Sequence, residues 1–90
     1  MKTTISRKME QLSINLKTKV KQRVLQMGAS LLSEGYRYVV NFGLPYSHYI
    51  KMKHSRNGNI ITIIGRYENG EITVKRNGRL RHTEFVQQQP

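Results

Sequence analysis

Apolar residues recur at Ile5, Met9, Leu12, Leu16, Val20, Val24, Met27 and Leu31, every step three or four positions, which lays one stripe along a helix. Thr3, Thr4 or Ser6 can cap its start, and Gly35 after Glu34 supplies the left-handed residue that commonly ends a helix. The pattern predicts a helical segment over residues 1–34. About 30 helical residues would reach roughly 45 Å, whereas strands of seven residues reach only about 23 Å. Either the N-terminal half overhangs the sheet it covers and packs on something else, or the helix breaks near Ser13, Ile14 and Asn15. The sequence reading favours the break, because Ser or Asn there could cap a second helix.

After Gly35 the apolar period changes to two, and strands are predicted at Tyr36–Phe42, His48–His54, Asn59–Tyr67, Glu71–Arg76 and Arg79–Phe85. Asn-Gly joins the later strands at Asn57-Gly58, Asn69-Gly70 and Asn77-Gly78, each suited to a two-residue type I′ hairpin because both central residues need positive φ. Gly43–Ser47 is a turn in which Pro45 holds Leu44 extended. Residues 36–86 then form an antiparallel meander, and Gln87–Pro90 a frayed polar tail. The predicted fold is α+β: an N-terminal amphipathic helix packed on one face of a four- or five-stranded meander, in one domain over residues 1–90.

A two-residue turn at Asn57-Gly58 sets Met52 opposite Ile63 and Lys53 opposite Thr62. Ile50, Met52, Ile61, Ile63, Tyr67, Ile72 and Val74 then face the helix. Tyr49, Lys51, Lys53, Ile60, Thr62, Ile64, Arg66, Thr73 and Lys75 face away. In the first strand, alternation turns Tyr36, Tyr38, Val40 and Phe42 inward and leaves Arg37 with the basic face. The last strand fits poorly: a tight turn at Asn77-Gly78 sets Arg76 against Arg79 and Glu71 against Glu84, two like-charge pairs.

Composition sharpens this picture. Sixteen Lys and Arg stand against five Glu and no Asp, for a formal net charge of +11. Such an excess on a small domain repels itself, so it points to a polyanionic or acidic partner. The outward face carries no Glu between residues 36 and 67, and Arg37, Tyr49, Lys51, Lys53, Arg66 and Lys75 have the chemistry to neutralise phosphates and stack a base. Lys75, Arg76, Arg79 and Arg81 form a basic hairpin tip that could contact a nucleic-acid backbone or reach guanine edges. Lys17, Lys19, Lys21 and Arg23, with Arg7 and Lys8 before them, make a second patch on the helix, where carboxylates four residues away are scarce.

Other classes have weaker support. Cysteine is absent, which removes disulfides and thiolate chemistry and fits a reducing, cytoplasmic setting. Nothing approaches the roughly 18 apolar residues of a membrane span, so no integral membrane association is expected. Residues 1–19 are basic and hydroxyl-rich like an organelle leader, but Glu10 and the continuous helix pattern oppose that reading. Without Asp or paired carboxylates, no metal or other cofactor is expected. His48, His54, His82, Glu84 and Tyr49 could serve a metal-independent ribonuclease, although His48 and His54 are six residues, about 20 Å, apart on one strand. Binding of nucleic acid therefore stands first and ribonuclease action third. Between them stands a non-enzymatic inhibitor or effector docking on an acidic protein, for which Ile60, Ile64 and Val39 beside the cations would suit a protein interface or a homodimer.

Overall fold

The structure, a computed structural model, describes the backbone of residues 2–86 and the side chains of residues 15–86. Helix α1 (Lys2–Ser33) is followed by five strands, β1 (Tyr36–Gly43), β2 (Ser47–His54), β3 (Ile60–Arg66), β4 (Glu71–Arg76) and β5 (Arg79–Phe85). They form one antiparallel sheet in sequential order, the expected meander with a helix on one face. The helix does not break at residues 13–15 but runs through them, 32 residues in all, about 48 Å at 1.5 Å per residue. Inside a helix Ser and Asn cost only about 0.5 kcal/mol each relative to good helix formers, so Ser13 and Asn15 do not end it. The helix already runs from Lys2, so Thr3, Thr4 and Ser6 lie within it and do not cap its start; the side chains of the stripe residues Ile5, Met9 and Leu12 and of Arg7 and Lys8, and the tail at 87–90, lie outside what the structure describes. At the other end Gly35 adopts φ 98°, and Glu34 and Gly35 N–H donate to the Leu31 and Leu32 carbonyls, closing the last turn.

The hairpins depart from expectation in an instructive way. Only Asn77-Gly78 is a two-residue turn with both φ values positive, 50° and 81°. The other two are longer loops of one design. Gly58 N–H donates to the His54 carbonyl and Gly70 N–H to the Arg66 carbonyl. Asn57 and Asn69 keep negative φ and use their side-chain oxygens to accept from the N–H two residues on. The added loop residues move Met52 opposite Ile61 and Lys53 opposite Ile60, two positions from the expected register. Because a two-residue shift preserves side-chain parity, the predicted faces of β2, β3 and β4 survive the error.

Two bulges correct the other assignments. In β1 the register shifts between Tyr38 and Val40, so Tyr36 and Tyr38 lie opposite His54 and Met52 on the helix side, while Val40 and Phe42 lie opposite Lys51 and Tyr49 on the outer side. The inward assignment of Val40 and Phe42 was therefore incorrect. Asn41 takes the inward place opposite Ile50. In the β4–β5 pair the shift falls between Val74 and Lys75, with Arg81 as the extra residue, so Glu71 meets Phe85 and Glu84 meets Ile72. The Glu–Glu clash disappears and the last strand stays in the sheet; Arg76 opposite Arg79 remains.

The core is built from Leu16, Val20 and Val24 of α1 against Tyr36, Ile50, Met52, Ile61, Ile63 and Ile72, with Tyr67 and Val74 packed at its margin. Helix and sheet approach closely over Gly65, where an added Cβ would stand 2.6 Å from a Val20 methyl and 2.7 Å from one of Val24. The missing side chain lets two branched residues settle onto the strand. The helix backbone packs over β1 through β4 and reaches β5 through the Arg23 side chain, which leaves the corner at the β4–β5 turn of the inner face open.

Candidate nucleic-acid interface

No described element covers the outer face of the sheet. One row across it runs Val40, Lys51, Thr62, Lys75 and Leu80, and the next runs Phe42, Tyr49, Ile64, Thr73 and Thr83. Strands are spaced about 4.8 Å apart, so Lys51 and Lys75 have Cα atoms about 10 Å apart with Thr62 between them. Lys53 stands two residues along β2 from Lys51. The rings of Phe42 and Tyr49 meet with centroids 5.3 Å apart and planes tilted by 36°. The bulge thus places beside the lysines an aromatic that alternation had assigned to the core. A local sequence signal for it was absent, because bulge position depends on how β1 pairs with β2. Glu71, the carboxylate on this face, lies four residues along β4 from Lys75, about 13 Å away, and accepts from the Thr73 hydroxyl.

The remaining candidates separate into distinct places. Arg66 lies at the far end of β3 opposite Ser47. Arg37 folds back over the edge strand, where its Nη1 donates to the Tyr36 carbonyl at 2.8 Å and approaches the Leu32 carbonyl at 3.5 Å. It serves the helix C-terminus more than the flat face. Arg76 is opposite Ile61 and Arg79 opposite Arg76, which puts both on the helix side of the sheet, away from Lys75. The hairpin cluster proposed from sequence is therefore divided between the two faces.

The helix patch is also incomplete. Arg23 turns toward β5 and grips Glu84 with two hydrogen bonds, Nε to Oε2 at 2.8 Å and Nη2 to Oε1 at 3.1 Å. The hydrogen bond from Arg23, assisted by His82 at 2.8 Å from Oε1, holds the Glu84 carboxyl below its ordinary range. The same hydrogen bond raises the Arg23 guanidinium. Lys17 lies over the Tyr67 ring at 5.4 Å, and burial pushes the Tyr67 phenol up. Lys21 is exposed and Lys19 half-buried on the same helix.

The histidines do not converge. His48 is buried at one end of β2, where its Nε2–H donates to Asn41 Oδ1 at 2.7 Å while Nδ1 finds no partner. Burial, and secondarily the charge of Lys21, lower its pKa. His54, at the other end, donates from Nε2 to the Glu34 carbonyl and accepts at Nδ1 from the Arg56 and Asn57 N–H groups, tying the loop to the helix end. His82 is engaged by Glu84, and Tyr49 is on the opposite face. This arrangement does not bring an acid and a base to one phosphate. Among the described residues, no helix is long and apolar enough to cross a membrane, and no group of three His or Glu side chains could hold a metal ion. Comparison with protein-family models, with curated proteins and with solved structures finds no match.

Proposed function

We propose that the protein binds nucleic acid through the outer face of its sheet, in single-stranded form. The observation that carries this reading is the adjacency of two rows on an uncovered face: Lys51 and Lys75 in one, Phe42 and Tyr49 in contact in the next. Lysines at this spacing neutralise phosphates of one strand, while the exposed Phe42 ring and the partly exposed Tyr49 ring offer surfaces on which unpaired bases stack, at about 1–3 kcal/mol per base. A duplex hides its base faces and could use only the charges. Single strands should therefore bind more tightly than duplex of the same sequence.

The salt dependence of binding tests the reading. With four to seven phosphate contacts at about −0.7 each, the log of affinity for a single strand should fall against log salt with a slope of about −3 to −5. Replacing Lys51, Lys53 and Lys75 by Gln should lower the slope by about 2 and weaken all sequences alike, with the thermal midpoint retained. Phe42→Ala or Tyr49→Ala should weaken binding with little change in slope. No binding of single- or double-stranded DNA or RNA near physiological salt would overturn the proposal.

A second reading, docking on an acidic protein, draws on Phe42 at 43% and Leu80 at 62% exposure on the same face, since an apolar patch within a cationic surface suits a protein interface. Isolation from the native cell with and without nuclease separates the two: a stoichiometric acidic protein that survives nuclease treatment favours docking.

A further inference from the structure

The inner face carries a second cationic feature at the corner that helix α1 leaves uncovered. A recess of about 410 Å³ opens beside the β4–β5 turn, lined by Asn59, Arg76, Asn77, Arg79 and Arg81. No hydrogen bond or ion pair engages the three guanidinium groups among the described residues, and no carboxylate lines the recess; Glu84, the acid on β5, is held by Arg23 and His82. Arg76 and Arg79 are directly opposed across the strands, an arrangement that is unfavourable unless an anion lies between them.

The recess is also held in shape. Asn77 N–H donates to the Ile60 carbonyl and its Oδ1 accepts from Ile60 N–H, each at 2.8 Å, so one residue of the turn clamps both backbone groups at the start of β3. Asn77 Nδ2 donates to Asn59 Oδ1, which leaves the Asn59 amide N–H groups directed by that bond and without an acceptor of their own. Every polar side-chain group left unengaged around the recess is thus a donor, and three are permanently charged. An internal phosphodiester, with one negative charge, underuses three arginines. A phosphate monoester carries close to two charges at neutral pH and three acceptor oxygens, which suits forked guanidinium donors.

We propose that this recess binds a terminal phosphate, the phosphorylated end of a nucleic-acid strand whose body lies on the outer face. The identity of the strand rests on the proposed function; the preference for a dianionic phosphate rests on the recess alone. Strand β5 is the sheet edge between the two surfaces, so a chain end turning around this edge could reach the arginines.

Fluorescence anisotropy with one ten-nucleotide sequence, prepared with a 5′-phosphate, a 3′-phosphate or hydroxyls at both ends, tests the proposal. One phosphorylated end should bind about tenfold more tightly than the hydroxyl-ended strand, and the two phosphorylated strands identify which end enters. Replacing Arg76, Arg79 and Arg81 together by Gln should abolish that ratio, and replacement by Lys should restore charge but only part of the ratio. Replacing Lys51 and Lys75 by Gln should weaken all three strands and keep it. Removing the opposed arginines relieves repulsion, so the Gln variant should melt no lower than wild type, which confirms that it folds. Equal binding of all ends by wild type, or a ratio that survives the Gln variant, would overturn the proposal. Calorimetry with inorganic pyrophosphate separates the two readings. Arginine-dependent pyrophosphate binding without binding of any strand supports the anion recess and removes the nucleic-acid reading. Failure of pyrophosphate together with the absence of end preference removes the recess.

Discussion

His48 illustrates how a single buried group can set the pH response of the domain. Its neutral ring donates to Asn41, and its orphaned Nδ1 would have to take up a proton in a buried place near Lys21, so the folded state lowers its pKa. The unfolded chain therefore binds more protons than the native one just below pH 6.5. The stabilising preference for the neutral ring is complete above that pH and is lost as pH falls through the lower native pKa. Glu84 acts in a second window: its lowered carboxyl pKa contributes above about 4.5 and that contribution disappears under more acid conditions, though a partly exposed pair is worth only about 0–1 kcal/mol. Denaturant midpoints measured from pH 7.5 to 3.5 should fall in both windows. His48→Gln should flatten the upper one and leave the lower, and an unchanged upper slope would refute the assignment. Gly65 offers a test of packing at the same scale. Gly65→Ala should cost about 1–3 kcal/mol in chemical denaturation, because the new methyl meets the branched side chains of Val20 and Val24.

At the scale of elements, the three Asn-Gly pairs show where local sequence suffices. The pair at Asn77-Gly78 needs positive φ at both residues, and since a Cβ on Gly78 would meet nothing within 4 Å, Gly78→Ala should cost only its backbone strain, about 1–2 kcal/mol. Measured stability that does not change would exclude the tight turn. The pairs at Asn57 and Asn69 share the dipeptide but sit in longer loops, because the Asn side chains find backbone N–H groups two residues on. The helix stripe, the strand positions and the core faces of β2 to β4 were legible because their periods are local and a register error of two leaves faces unchanged. The bulges were not: whether Val39 or Arg81 is the extra residue is decided by long-range fit. For β5 it is decided by the gain from placing Glu84 under Arg23 rather than opposite Glu71. The candidate site inherited both kinds of result. Lys51, Lys53 and Lys75 were assigned correctly to one face. Alternation turns Phe42 inward and so leaves it out, the scarcity of carboxylates four residues away on the helix does not reveal that Arg23 pairs with Glu84 of β5, and the hairpin tip that groups Lys75 with Arg76 and Arg79 is split between the two faces by strand pairing.

For the whole molecule, the excess of positive charge predicts opposite responses of folding and binding to salt. The described body measures 58 × 19 × 19 Å, so its two layers of charge are separated by less than the Debye length of about 30 Å at 0.01 M salt and by more than the length of about 8 Å at 0.15 M. At low salt, then, the outer lysines, the corner arginines and the helix lysines all repel one another through the thin fold, and with five Glu against sixteen Lys and Arg, attraction cannot balance this. Adding sodium chloride from 0.01 to 0.15 M should raise the thermal midpoint of the free protein, by about 4–8 °C for each 1 kcal/mol of repulsion screened in a domain of this size. Over the same range, affinity for a single strand should fall, because every neutralised phosphate releases a counterion less favourably as salt rises. A bound strand should reverse the first effect: at saturating oligonucleotide the midpoint should be highest at low salt, where binding stabilises the native state most. Differential scanning fluorimetry with and without oligonucleotide, across the salt series, measures all three. A midpoint of the free protein that drops with salt would mean that ion pairs, not repulsion, dominate the electrostatics. A midpoint indifferent to oligonucleotide at every salt would leave the charge without the polyanionic partner argued for it.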